Sequence, residues 1–261
     1  MSIERHWKSK GEHPLTGESL SALLANEIPA VRIPQFANQA ECAAFATAMR
    51  SGNQKFYGVD RPIGYIGMAQ YEYRWGHAKQ EYFAAVPKAF ADQRYVFDRS
   101  FDPLMRFIDT LAAVWPGGAT LAVDECGPYY AGIIRFASAG IDLHADYAPF
   151  NMPGYDVAKI DAQLAWNLFV EAPDKGGVTT LYNLPWSPAM TKGQPPQSYG
   201  LVRENMGSAD AFSYNAVVGD VVIFNSRNPH EVSPGQSSGQ DRLQIGSFVG
   251  RMPDTSLVLF A

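Results

Sequence analysis

Apolar positions along the chain follow two periods in succession. Before about residue 120 they recur at helical spacing, and after it they fall into short apolar or alternating runs. The clearest helical stripe is FDPLMRFIDTLAAVW, where Leu104, Phe107, Ile108, Leu111 and Trp115 return at the i, i+3, i+4 interval of a core-facing surface. Another helix begins at Asn38, whose side chain can cap the first turn while Glu41 reaches back from three residues on. Further helices are predicted in LSALLANEIP and from His77 to Phe90. AVRIPQF reads as a strand, and the aromatic, glycine-punctuated stretch from Gly58 to Trp75 as strands joined by tight turns. The polar opening, to about Ser19, is expected to be loosely held.

Beyond Thr120 the runs YYAGIIRFAS, DAQLAWNLFVEA, GGVTTLYNL, DVVIFNS, LQIGSFVG and SLVLFA are separated by turn-rich pieces such as PDKGG and PGQSSGQD. Short strands between turns, without alternating helices, predict an antiparallel sandwich or barrel. The earlier helices would then buttress one sheet, giving a mainly β fold with flanking helices. The Pro-rich insertion LPWSPAMTKGQPPQSYG, around residues 185–199, is either a lid or a surface excursion.

Composition narrows the function classes. At 261 residues the chain can form one large domain, read here as 1–261. Lys+Arg 21 against Asp+Glu 26 gives a net charge of −5, which argues against a nucleic-acid partner. No apolar run is long enough to span a bilayer, and the amino terminus has no apolar signal-peptide core. Cys42 and Cys126 are too few and too far apart for a disulfide framework or zinc knuckle. The expectation is a cytoplasmic, reduced protein with no membrane partner, present as a monomer or homodimer.

The candidate chemistry lies in IDLHADYAPF and GDVVIFNSRNPHEVSPG. His144 and Asp146, two apart on an extended segment, point the same way and can reach one ion. His230 follows a buried-strand pattern and is either a third ligand or a surface histidine in a Pro/Asn loop. Two imidazoles and a carboxylate on one face of a metal suit non-haem Fe(II) and leave positions open. Arg242 either grips a carboxylate with paired hydrogen bonds or is a strand-end arginine paired to Asp241 or Glu231.

On these residues the chain resembles the Fe(II)/2-oxoglutarate-dependent dioxygenase superfamily over roughly Tyr129 to Phe248. HAD at 144–146 matches the H-x-D pair, His230 the distal ligand, and Arg242 the arginine that follows it. The resemblance implies a double-stranded β-helix (jelly-roll, cupin-like) core at 120–261 and a mostly helical front end at 1–119 that shapes the substrate pocket. It implies Fe(II), 2-oxoglutarate and O2 as cofactor and cosubstrates, with Arg242 on the C5 carboxylate of 2-oxoglutarate. Tyr182, Thr180 and Asn167 are further candidates for holding the cosubstrate, subject to strand register. The reaction implied is hydroxylation of a substrate C–H bond with release of succinate and CO2. Desaturation, cyclisation and epimerisation share the same centre. Related halogenases carry Gly or Ala where this chain has Asp146, so halogenation is not expected.

A small polar metabolite, such as an amino acid or its derivative, is the expected substrate, by fold-level analogy. Arg61, Tyr65, Arg74, Arg135, Tyr147 and Phe150 are candidate substrate contacts, each with a structural role as the plainer reading. Two other readings stand beside this one. One is a cupin-like metalloenzyme or oxidase that does not use 2-oxoglutarate, for which Arg242 is the discriminating residue. The other is a non-enzymatic β-sandwich binding module.

Overall fold

The computed structural model describes residues 7–56, 63–73, 77–191, 201–236 and 241–261. Its main elements are β1 (Glu12–Pro14), α1 (Gly17–Leu24), β2 (Ala30–Ile33), α2 (Gln39–Arg50), β3 (Lys55–Phe56) and β4 (Gly64–Ile66). There follow α3 (Lys79–Phe97), α4 (Pro103–Val114), β5 (Ala119–Leu121), β6 (Ile133–Phe136), β7 (Ile141–His144) and the short α5 (Ala148–Asn151). The chain continues through β8 (Ala162–Glu171), β9 (Thr179–Tyr182), β10 (Ala211–Tyr214), β11 (Val221–Asn225), β12 (His230–Val232), β13 (Leu243–Arg251) and β14 (Leu257–Phe260).

These strands build a ten-stranded sheet in the order β1-β2-β11-β8-β13-β6-β4-β3, with β14 pairing both β13 and β5, and a separate four-stranded sheet, β10-β9-β12-β7. The pairing is antiparallel except for β1 with β2 and β5 with β14. β13 is long enough to pair with β6 through its first half and with β14 through its second. The architecture is a mixed α/β fold, not a mainly β one, and the described strands do not close into a barrel.

Alternation along the strands divides the large sheet into two faces. Leu164, Trp166 and Leu168 of β8, with Ile245 and Val249 of β13, pack into a core shared with α1, α2 and α4. The helical stripe of α4 meets this face where Phe107 stacks on Trp166, 4.1 Å between centroids and 19° between planes. The Trp166 indole N–H is satisfied by Ser247 Oγ at 2.9 Å. On the opposite face Ala165, Phe169, Val222 and Phe224 pack with Leu181 and Tyr214 of the small sheet. The two sheets thus face each other, and the functional residues lie between them.

Several local readings are altered by the structure. Residues 12–14 are an ordered edge strand, not loose chain, because Glu12 accepts two hydrogen bonds from Arg32 on β2, at 2.5 and 2.7 Å. α1 starts earlier than its apolar residues suggested, since Thr16 and Ser19 form a reciprocal cap. α3 runs through Pro87 to Phe97, where the sequence pointed to an end at Phe90. The buried Gln93, donating to the carbonyls of Ala131 and Gly132, anchors that extension to the chain leading into β6. α2 has the capping box expected of Asn38 and Glu41.

Candidate metal centre

β7 and β12 are neighbours in the small sheet, and their register sets His144 directly opposite His230. Asp146 lies just past the end of β7. Its N–H donates to the carbonyl of Ser226 at 2.9 Å, and its own carbonyl accepts from Ser226 Oγ at 3.2 Å. This anchoring brings the carboxylate back beneath the two rings. Asp146 Oδ2 stands 3.6 Å from Nε2 of His144 and 3.6 Å from Nε2 of His230. All three residues are buried.

The remaining ring nitrogens determine what this trio can do. His144 Nδ1 lies 2.6 Å from the carbonyl of Asp142, and His230 Nδ1 lies 2.9 Å from the carbonyl of Asn228. A carbonyl only accepts, so each Nδ1 carries the proton and each Nε2 turns its lone pair inward. Burial, reinforced by neighbouring His144, pushes the His230 pKa down to about 3, which keeps the ring neutral. Two imidazoles and one carboxylate, with ligand atoms all within 4.8 Å of one another, fit a divalent transition metal with coordination positions to spare.

Arg242 sits at the start of β13 with its side chain buried. It donates through Nε to the carbonyl of Gly177 at 3.2 Å, through Nη2 to Thr179 Oγ1 at 3.0 Å, and through Nη1 to Gln244 Oε1. The Phe169 ring lies 5.0 Å below the guanidinium carbon. Gly177 takes a positive φ of 64°, a turn that favours glycine and helps aim its carbonyl at the guanidinium. Burial draws the Arg242 pKa down to about 10, which leaves it a cation at neutral pH. Its side-chain acceptors among the described residues are neutral, and neither Asp241 nor Glu231 pairs with it. Asp241 accepts from Ser138, and Glu231 from Tyr182 and Arg203. A buried cation facing neutral acceptors has the capacity to pair with a carboxylate.

The other candidates divide by register. β9 buries Thr179 and Leu181 and turns Thr180 and Tyr182 the other way. Thr180 bonds Ser213 on β10, and the Tyr182 hydroxyl donates to Glu231 and accepts from Arg203. Neither is turned toward Arg242, and the neighbouring Thr179 occupies that place. Asn167 accepts from Gln244 at 2.9 Å and so joins the network one residue removed from the guanidinium. Arg135 stands opposite Gln244 on one side and Tyr65 on the other, on the face of the large sheet turned toward the site. Tyr147 is half-buried under Arg227, 4.6 Å from the guanidinium carbon, and the exposed Phe150 ring meets Trp186 at 4.7 Å. Arg61, Arg74 and most of the Pro-rich insertion lie outside the described residues.

Tyr71 was not singled out as a partner of the metal ligands, yet its hydroxyl donates to Asp146 Oδ1 at 3.0 Å. Gln244 and Thr179 were also missed. Gln244 carries a readable signal, since it lies two residues from Arg242 on a strand and therefore on the same face.

The arrangement has relatives. The family model described as "Carrier-protein-independent halogenase WelO5" matches residues 9–260. The chain is 32% identical over 215 residues to the leucinostatins biosynthesis cluster protein S of Purpureocillium lilacinum, covering 77% of this chain and 85% of that one. It is 27% identical over 264 residues to the L-gamma-glutamyl-L-propargylglycine hydroxylase of Streptantibioticus cattleyicolor, covering 94% and 93%. The fold is similar to that of an N-substituted L-amino acid dioxygenase from Burkholderia ambifaria, with a TM-score of 0.63 at 15% identity over 94% of this chain and 91% of that one. With its His-Asp-His centre and the match along nearly its whole length, the chain belongs to the family named for the WelO5 halogenase, within the Fe(II)/2-oxoglutarate-dependent oxygenases.

Proposed function

We propose that this oxygenase hydroxylates an unactivated C–H bond of a small amino-acid-like metabolite, in spite of the halogenase in its family's name. The observation that carries this reading is the carboxylate of Asp146, whose Oδ2 completes a three-residue ligand set with His144 and His230. A family halogenase needs that position free for a halide, whereas here a buried side chain fills it. The substrate class draws support from the curated relative named as a hydroxylase of a γ-glutamyl amino acid.

In this reading His144, Asp146 and His230 hold Fe(II), and Arg242 takes the C5 carboxylate of 2-oxoglutarate, assisted by Thr179 and Gln244. Iron and 2-oxoglutarate together supply the oxidising power to insert one atom of O2 into the substrate, the other leaving in succinate alongside CO2. The chain's own contribution is placement. The carbonyls of Asp142 and Asn228 aim the imidazoles, and Arg242 sets the direction of the cosubstrate. Arg135 and Tyr65, at the other end of the cross-strand row through Gln244, line the substrate side, with Tyr147 and Phe150 at the rim.

We read the core as a double-stranded β-helix, with β11, β8, β13 and β6 opposed to β10, β9, β12 and β7; the apolar packing between the two sheets supports this reading. The region 1–119 shapes the pocket within a single domain spanning 1–261. We further infer a cytoplasmic monomer or homodimer without a nucleic-acid partner, in keeping with a net charge of −5. No helix among the described residues is long and apolar enough to cross a membrane.

The test is a panel of free and N-acylated amino acids with Fe(II), 2-oxoglutarate and 100-fold excess chloride, read by mass spectrometry and succinate release. A product heavier by one oxygen, with succinate in equal amount, is expected. A chlorinated product would overturn the hydroxylase reading.

A further inference from the structure

The two oxygens of the Asp146 carboxylate have different neighbours. Oδ2 faces the two histidine nitrogens, and Oδ1 receives the hydroxyl of Tyr71 at 3.0 Å. Tyr71 comes from the single-turn helix Gln70–Tyr73 in the front end, far from Asp146 in sequence. Its ring is held edge-on to Phe248 of β13, 6.2 Å between centroids and 86° between planes. Asn151 of α5 donates to the Tyr71 oxygen at 3.4 Å, which directs the phenolic proton toward the carboxylate.

A carboxylate beside a divalent cation can bind through one oxygen or swing to bind through both. A hydrogen bond held on one oxygen opposes the swing, because two-oxygen binding would have to break or bend it. We propose that Tyr71 is a positioning residue that holds Asp146 as a one-oxygen metal ligand and so keeps a coordination position open. This inference rests on the Fe(II) reading of the site. It gives the front end a duty at the metal, since the turn Gln70–Tyr73 then orients a metal ligand.

Co(II), an air-stable stand-in for Fe(II), supplies a readout independent of turnover. Tyr71→Phe removes the hydroxyl and leaves the ring against Phe248, whereas Tyr71→Leu removes both. In Y71F, loss of an outer-shell hydrogen bond should weaken Co(II) binding roughly tenfold and change the intensity of its visible absorption, which follows coordination number. The melting temperature of the metal-free variant and its 2-oxoglutarate affinity at saturating Co(II) should match the parent. Parent-like Co(II) affinity and spectrum in Y71F would overturn the proposal. Impairment in Y71L alone would overturn it as well, by assigning the effect to packing. If the parent itself bound neither Co(II) nor Fe(II), the metal reading beneath the proposal would fall first, and the two failures are thereby told apart.

Discussion

His144 and His230 stand directly opposite one another on adjacent antiparallel strands, with ring centroids 4.1 Å apart. The two imidazoles are therefore rungs of a strand ladder, and a metal ion held by both would tie β7 to β12. Fe(II) or Co(II) added without oxygen should raise the melting temperature, by about 2.7 kcal/mol of added stability at a metal concentration 100 times Kd. H144A and H230A should each lose that rise. Parent-like stabilisation in either variant would remove that histidine from the ligand set.

Arg242 should govern the cosubstrate and leave the metal alone. Arg242→Gln is expected to weaken 2-oxoglutarate binding about 100-fold, near 2.7 kcal/mol, as for a lost buried charge pair. Arg242→Lys should fall between, because it keeps the charge but loses the fork. Anaerobic calorimetry separates the two affinities. A Co(II) affinity that fell in parallel would mean the site had collapsed as a whole.

Adjacent threonines provide an internal control. Thr179 touches the Arg242 guanidinium and Thr180 bonds Ser213 on the far side of β9. Thr179→Val should raise the KM for 2-oxoglutarate several-fold, in line with loss of about 1 kcal/mol from one hydrogen bond. Thr180→Val should leave it unchanged. The reverse order would mean that the strand is out of register by one residue.

Acid stability should depend on a carboxylate outside the His-Asp-His trio. Burial alone would raise the pKa of Asp124. The Lys79 ammonium at 2.7 Å, the N–H groups of Asp156 and Cys126 and the Tyr129 hydroxyl outweigh it and hold the group at about 2. A depressed carboxyl pKa stabilises the fold fully above its unfolded value near 4, and that stability is lost as pH falls through the folded value. Asp124→Asn should cost about 2 kcal/mol at pH 7 and flatten the loss of stability between about pH 4 and pH 2. An acid limb identical to the parent's would refute this assignment.

The grouping of His144, Asp146 and His230 was legible because their chemistry restricts which residues can serve, and their spacing survives without knowledge of strand register. The stripe of α4 and the Asn38 cap were legible because each is a local pattern. β9 was not. In Val178-Thr-Thr-Leu-Tyr both alternating sets mix apolar and hydroxyl groups, so only pairing with β12 and β10 decides which face looks inward. The sequence pattern ended α3 at Phe90, whereas the helix continues to Phe97, held by the buried Gln93 on the carbonyls of Ala131 and Gly132. The link from Tyr71 to Asp146 left no signal, because nothing in the neighbourhood of either residue refers to one so far along the chain.

β9 also imposes a length. Thr179 touches Arg242, and Leu181, two residues on, stands opposite His230. A strand advances about 3.3 Å per residue, so these two stations are spaced by about 7 Å of backbone that side-chain rotation cannot change. In the 2-oxoglutarate reading, the strand would act as a gauge block for a keto acid held between the two. A homologue one methylene shorter would leave a gap at the guanidinium, and one a methylene longer would have to buckle. Discrimination among 2-oxo dicarboxylic acids would then be written in the pitch of a β-strand, and substitutions in the pocket wall would do little to relax it.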